Sequence, residues 1–208
     1  LFDLDGTITD SALGITNSVM YALKKFGIEE TDRTKLYKFI GPPLTESFEK
    51  FYGFTKEQSL DGVKYYREYY HDKGIYENRV YDGLEEVLKK INEAGKQAIV
   101  ATSKPEKYAK IIIDHFHLTK YFACVAGMEM DGGRGTKAQV ITYALEKNDI
   151  TDKSNVLMIG DREHDVIGAH ENGLDCLGIL YGFGSRKEFE EAGADYIREN
   201  VEDILQFV

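Results

Sequence analysis

The sequence predicts an α/β protein, a parallel sheet flanked by helices, with an all-helical segment inserted after the first strand. Three observations lead there. From residue 81 onward, short apolar runs alternate with stretches of helical period, the pattern of successive βαβ units. Between residues 14 and 80 the apolar positions keep helical spacing and no convincing strand appears. Polar clusters stand at the ends of predicted strands, where a parallel sheet binds its ligands.

Residues 1–4 read as the end of a buried strand, stopped at Asp5-Gly6. The chain opens at Leu1 already inside that apolar run, so a few residues of the strand are expected ahead of it. Ile15, Val19, Leu23 and Phe26 make one helical stripe; Leu44, Phe48 and Phe51 make a second; Leu60, Val63, Tyr66 and Tyr70 make a third. This segment holds eight of the 14 Tyr and five of the 11 Phe, enough for a small aromatic core with one or two rings left to wall a substrate. Its limits fall near 10–12 and 79–82, read as two hinge strands. Beyond it, helices are expected at 84–95, 108–116, 137–147, 163–172 and 187–192. Strands are expected at 98–101, 122–126, 156–159, 176–180 and 196–197.

With 208 residues the chain is ample for a packed core. A net charge of −10 argues against a nucleic-acid polymer or an anionic membrane as partner. No apolar run approaches the ~20 residues that span a bilayer, and no secretion signal is visible. Cys124 and Cys176 are few and far apart, and read as reduced, buried residues of a cytoplasmic protein. The expected assembly is a monomer or a homodimer.

Asp3 and Asp5 are alternate residues at a strand end and can face one crevice. Two close carboxylates repel unless a cation or a shared proton joins them. Gly6 permits a sharp turn, and amides there, with Thr7, could cradle a phosphate. Thr102, Ser103 and Lys104 end the second strand, Lys137 opens a helix, and Asp161 and Asp165 follow Gly160. Hard oxygen ligands in this number suit Mg²⁺, whereas a softer metal would want His or Cys. Each signal alone has a plainer reading: a turn, a helix cap or a solvated lysine. Their joint order at strand ends makes coincidence a poor account.

The set resembles the haloacid dehalogenase superfamily of phosphohydrolases. Its motif Asp-Xaa-Asp-Gly-Thr matches Asp3 to Thr7, its Thr or Ser after an apolar strand matches Thr102, its helix-opening Lys matches Lys137, and Gly-Asp-Xaa-Xaa-Xaa-Asp matches Gly160 to Asp165. The resemblance implies a Rossmann-like core, residues 1–12 with 81–208, and an inserted helical cap of the C1 type, residues 13–80. It implies that Asp3 attacks phosphorus, that Asp5 serves as acid and then base, and that Thr102 and Lys137 hold phosphate oxygens. It also implies Mg²⁺ on Asp3, the Asp5 carbonyl and Asp161, with Asp165 direct or through water. Dehalogenases lack the second aspartate, which is present here as Asp5. The loop Gly41-Pro42-Pro43-Leu44-Thr45, with Thr102-Ser103-Lys104-Pro105 and Tyr181-Gly182-Phe183-Gly184, resembles phosphoglycolate phosphatases and a 5'-nucleotidase-like branch. The expected activity is therefore a phosphomonoesterase on a small soluble phosphate ester, phosphoglycolate first and a nucleoside monophosphate second. Gly41, Pro42, Ser103 and Lys104 are the expected contacts to the rest of the substrate. A receiver-like phospho-acceptor is the distant alternative, disfavoured by the large helical insert.

Overall fold

The computed structural model describes residues 1–130 and 133–208. The chain forms two compact units, Leu1–Thr9 with Val80–Val208, and Asp10–Arg79. It leaves the first through β1 (Thr9–Asp10) and returns through β2 (Arg79–Val80), which pair with each other.

The unit Asp10–Arg79 is helical. Helix α1 (Ala12–Lys25) buries Ile15, Val19 and Leu23, as its stripe predicts. A 3₁₀ segment (Arg33–Phe39) leads to α2 (Leu44–Tyr52) and α3 (Lys56–Tyr69), the latter started by a Thr55–Gln58 capping box. A π turn, Tyr70–Gly74, extends α3. The core is aromatic: Phe39 and Phe48 are fully buried with rings 5.2 Å apart, and Phe54 stacks on Phe48 at 5.5 Å. The expected α3 stripe is corrected at Leu60, which is 58% exposed. Ser59 and Gly62 face inward instead, because the Phe48 ring occupies the space over Gly62, where a Cβ would approach it to 3.1 Å. Gly14 and Gly74 make the tightest crossing. A Cβ on Gly14 would stand 1.9 Å from the Gly74 carbonyl oxygen.

In the other unit the sheet strands are β3 (Ala98–Pro105), β4 (Phe122–Met128), β5 (Leu157–Gly160), β6 (Asp175–Ile179) and β7 (Tyr196–Arg198). Residues 1–4 run between β3 and β5. Phe2 bridges both Val100 and Ile159 in parallel, and its N–H donates to the Ile99 carbonyl at 2.8 Å while the Asp3 N–H donates to Ile159 at 2.9 Å. The spatial order is β4, β3, residues 1–4, β5, β6, β7, all parallel. Counted along the chain this is 3-2-1-4-5-6, the doubly wound order of a Rossmann-like sheet. Its switch point lies at residues 1–4, so the carboxyl end of that segment opens where such sheets bind ligands. Helices α4 (Leu84–Glu93), α5 (Glu106–His115), α6 (Lys137–Lys147), α7 (Glu163–Glu171) and α8 (Arg186–Ala192) connect the strands. Val140, Ile141, Met158, Val166 and Phe189 are among the core residues beneath them.

Two strands run two or more residues past their expected ends. β3 continues from 101 to Pro105 and β4 from 126 to Met128, with a register shift between Thr102 and Pro105. Gly127 permits this, since a Cβ there would lie 2.6 Å from the Lys104 carbonyl. Pro105 is therefore the residue that precedes α5, which begins two residues before its expected start. A final 3₁₀ segment, Val201–Phe207, carries no apolar stripe strong enough to be expected from the sequence; Asn200 and Asp203 cap it. Cys176 is buried and Cys124, expected buried, is half-exposed near the edge of the sheet; both are free.

Because α1 and the π turn meet through two glycines, Gly14→Ala must push backbone against backbone. Overpacking of this kind costs about 1–3 kcal/mol, and an unfolding free energy lowered by that amount, measured by urea denaturation, is the expected outcome. Gly27→Ala, at an open position, provides a comparison for loss of a left-handed glycine without a clash.

Candidate active site

The turn after residues 1–4 is tight. The Gly6 N–H donates to the Thr9 carbonyl at 2.8 Å, and the Thr7 and Ile8 N–H groups donate to the Leu4 carbonyl. Gly6 takes φ +85°, and a Cβ there would meet Asp161 Oδ2 at 2.1 Å, so the position admits glycine alone on two counts. This corrects the expected phosphate cradle: the Gly6 and Thr7 amides are engaged within the turn. The amides of Leu4 and Asp5 have no acceptor among the described residues. The Thr7 side chain serves elsewhere, donating through Oγ1 to Asp161 Oδ1 at 3.2 Å.

Four carboxylates gather here, all buried: Asp3, Asp5, Asp161 and Asp165. Carboxylate oxygens of Asp3, Asp161 and Asp165 lie within 4.8 Å of one another. Lys137 is placed at the first turn of α6 by a Thr136–Gln139 capping box. Its Nζ stands 2.9 Å from Asp3 Oδ1 and 2.7 Å from Asp165 Oδ1, and it donates to the Ala101 carbonyl at 3.1 Å. Asp165 occupies the third position of α7 and accepts the Arg162 N–H through Oδ2 at 3.1 Å. Lys104 pairs with Asp5, Nζ to Oδ2 at 2.7 Å. Thr102 is buried, and its Oγ1 accepts the Lys104 N–H at 3.2 Å. Ser103 is half-buried beside it.

Four carboxylates against two ammonium groups leave a formal charge of −2, and the strain shows in the acidities. Burial raises the Asp161 carboxyl well above the usual range, reinforced by Asp165 and Asp3. Burial also lifts Asp165, against the opposing pull of Lys137. For Lys137, burial works downward, but Asp165 and Asp3 more than reverse it and hold the ammonium above its ordinary value.

The residues fit a hard divalent cation. Asp5 Oδ1 is buried with no hydrogen-bond partner among the described residues, and Asp3 and Asp165 share the single Lys137 ammonium at their Oδ1 atoms. Buried, unsatisfied carboxylate oxygens are costly, and an oxygen-only donor set matches Mg²⁺ rather than a metal preferring nitrogen or sulfur.

These positions agree with a known group of enzymes. A model of the haloacid dehalogenase-like hydrolases matches residues 1–179. The chain belongs to that family. A 5'-nucleotidase of Pseudomonas aeruginosa is 45% identical over 188 residues, 90% of this chain and 85% of that protein. A predicted phosphatase from Clostridium acetobutylicum has a crystal structure with TM-score 0.95 and 48% identity, covering 99% of this chain and 94% of that one. A phosphoglycolate phosphatase of Vibrio parahaemolyticus is 22% identical over 215 residues, 100% of this chain and 94% of that protein. The present chain is a phosphoric monoester hydrolase of the same family.

Sequence reasoning assigned no site role to the loop after β6. The Phe183 N–H donates to Asp161 Oδ2 at 2.9 Å, and the Tyr181 hydroxyl donates to the Thr7 carbonyl at 3.0 Å. Cβ atoms on Gly182 and Gly184 would lie 2.3 Å and 2.0 Å from atoms of Asp161. Two glycines at alternate positions after a strand were the signal. Gly41 and Pro42 belong to the unit Asp10–Arg79, where they precede α2 and are half-buried. That unit also contains a cavity of about 420 Å³, with Leu13, Arg33, Tyr37, Tyr76 and Arg79 in its wall.

A carboxyl whose pKa is raised by folding binds its proton more tightly in the native state. Stability therefore falls as pH climbs from the unfolded value toward the raised one, and the penalty is complete above it. Asp161→Asn removes that penalty. In chelator the variant should melt at least as high as the wild type, with a larger advantage at pH 8 than at pH 5. A calorimetric scan at the two pH values measures it.

Proposed function

We propose that this chain is a Mg²⁺-dependent phosphomonoesterase working through an aspartyl-phosphate on Asp3, with nucleoside 5'-monophosphates as its substrate class. The observation that carries the reaction class is the pair Asp3 and Asp5 at the switch point, each with its own ammonium partner, Lys137 and Lys104.

In this reading a carboxylate oxygen of Asp3 attacks phosphorus, and the bond to the ester oxygen breaks. Asp5 delivers a proton to that leaving oxygen. A water then attacks the phosphorus of the acyl phosphate, Asp5 takes its proton, orthophosphate departs and the Asp3 carboxylate is restored. Lys137 orients Asp3 and offsets charge on both Asp3 and the phosphate. The Thr102 hydroxyl and the amides of Leu4 and Asp5 serve as donors to phosphate oxygens. Asp3, Asp161, Asp165 and the Asp5 carbonyl would hold Mg²⁺, which when bound neutralises charge and polarises the phosphate oxygens. An incoming dianion otherwise meets a site of like sign, where one unit-charge pair at ~4 Å is worth about 4 kcal/mol at an effective dielectric of ~20.

The leaving group is the finer question. Sequence motifs put phosphoglycolate first, with Lys104 meeting its carboxylate. Lys104 is instead drawn to Asp5, which weakens that role. The 45% relative is a nucleotidase, whereas the phosphoglycolate phosphatase is 22% identical. These features support the nucleotide reading; phosphoglycolate remains the second.

Asp3→Asn should fold normally and lose at least about 10³-fold in turnover, since the covalent route is gone. Turnover close to wild type, in a preparation free of wild-type enzyme, would sink the scheme. Chelator should abolish activity and Mg²⁺ restore it.

Phosphate release across a panel of phosphate esters tests the substrate class. Nucleoside 5'-monophosphates should exceed phosphoglycolate in kcat/KM by tenfold or more; the reverse order would return phosphoglycolate to first place.

A further inference from the structure

Asp161 differs from its two clustered neighbours in how it is held. Both of its oxygens accept hydrogen bonds, Oδ1 from Thr7 Oγ1 and Oδ2 from the Phe183 N–H. Both donors come from segments that Tyr181 ties together. Its hydroxyl donates to the Thr7 carbonyl, and Phe183 follows it by two residues. The Tyr181 ring is fixed in turn by Tyr81, edge-on at 4.8 Å. Tyr81 is anchored by its own N–H on the Ile8 carbonyl at 3.2 Å.

There is little slack around this arrangement. A Cβ on Gly182 would come within 2.4 Å of the Gly6 carbonyl as well as 2.3 Å of Asp161 Cβ. Asp161 is thus clasped between the turn at Gly6-Thr7 and the loop at 181–184, and the phenol hydroxyl of Tyr181 is the side-chain link between the two.

We propose that Tyr181 is a positioning residue of the metal site: acting through Thr7, it aims the Asp161 carboxylate and thereby sets the affinity for Mg²⁺. The inference rests on the metal reading given above. Burial, aided by the Asp161 charge, raises the Tyr181 phenol above its ordinary range, so the hydroxyl remains a donor at neutral pH. Groups that orient a ligand from behind typically alter metal affinity by about 10–100-fold. Tyr181 acts one link further back, so the lower end applies. A merely structural tyrosine would lower stability and leave the cation affinity of the folded chain intact.

The test is a calorimetric titration of Mg²⁺ into the full chain without substrate, paired with the rise in melting temperature that Mg²⁺ produces. Tyr181→Phe deletes one oxygen and keeps the ring packed on Tyr81. It should bind Mg²⁺ about tenfold more weakly, with a smaller Mg²⁺-induced rise. Thr7→Val should also weaken binding, and Thr7→Ser, which keeps the hydroxyl, should restore most of it. Tyr196→Phe, at an exposed tyrosine bonded to Asp175, should bind as the wild type does. Wild-type affinity in Tyr181→Phe would overturn the inference while leaving the metal reading in place. An equal loss in Tyr196→Phe would overturn it too. Absence of any saturable Mg²⁺ binding by the wild type would overturn the metal reading, and this inference with it.

Discussion

Lys137 is the interaction on which the site depends. One buried ammonium reaches the Asp3 carboxylate, the Asp165 carboxylate and the Ala101 carbonyl, and so ties together residues 1–4, β3 and α7. Without it, two carboxylates would face each other in the interior with nothing to balance them, a situation that costs several kcal/mol. The local structure around it serves this meeting. The capping box at Thr136 starts α6 in the right place, the Asp165 carboxylate caps α7 from within, and Gly160 leaves room for it, since a Cβ there would lie 2.1 Å from Asp165 Cγ.

Glycine does a second kind of work in this molecule, by absence rather than by conformation. At Gly182 and Gly184 the missing side chain is volume that Asp161 occupies. At Gly14 and Gly62 it is volume taken by a carbonyl and by an aromatic ring. Close approach of this sort holds a charged cluster or a small aromatic core in one arrangement, because any added methyl group would displace neighbours that are themselves packed.

Much of this was legible in the sequence because it is periodic or locally punctuated. The alternation after residue 81 and the stripe Ile15, Val19, Leu23 come from the repeat lengths of strand and helix, which neighbours do not alter. The gathering of Asp3, Thr102, Lys137 and Asp161 was legible because parallel strands place their carboxyl ends on one edge. What was not legible depends on contacts between distant segments. Leu60 fits the apolar spacing, but the helix turns Ser59, Gly62, Val63 and Tyr66 inward, with the Phe48 ring over Gly62. The extra pairing of Thr102 to Pro105 depends on Gly127 in another strand. The pairing of Lys104 with Asp5 depends on side-chain reach across the sheet edge. The clasp on Asp161 joins residues 154 and 22 positions away, which no local pattern encodes.

The central position of residues 1–4 has a further consequence. The segment that carries Asp3 and Asp5 lies far in sequence from both of its neighbours: Phe2 pairs with Val100 and with Ile159. Closing loops of such length before any pairing is gained slows folding. Asp5 therefore meets its cationic partner, Lys104, only after β3 has been made, and Asp3 meets Lys137 only after α6 has begun. A chain made only as far as β3 therefore carries Asp3 and Asp5 without Lys137, Asp161 or Asp165 beside them.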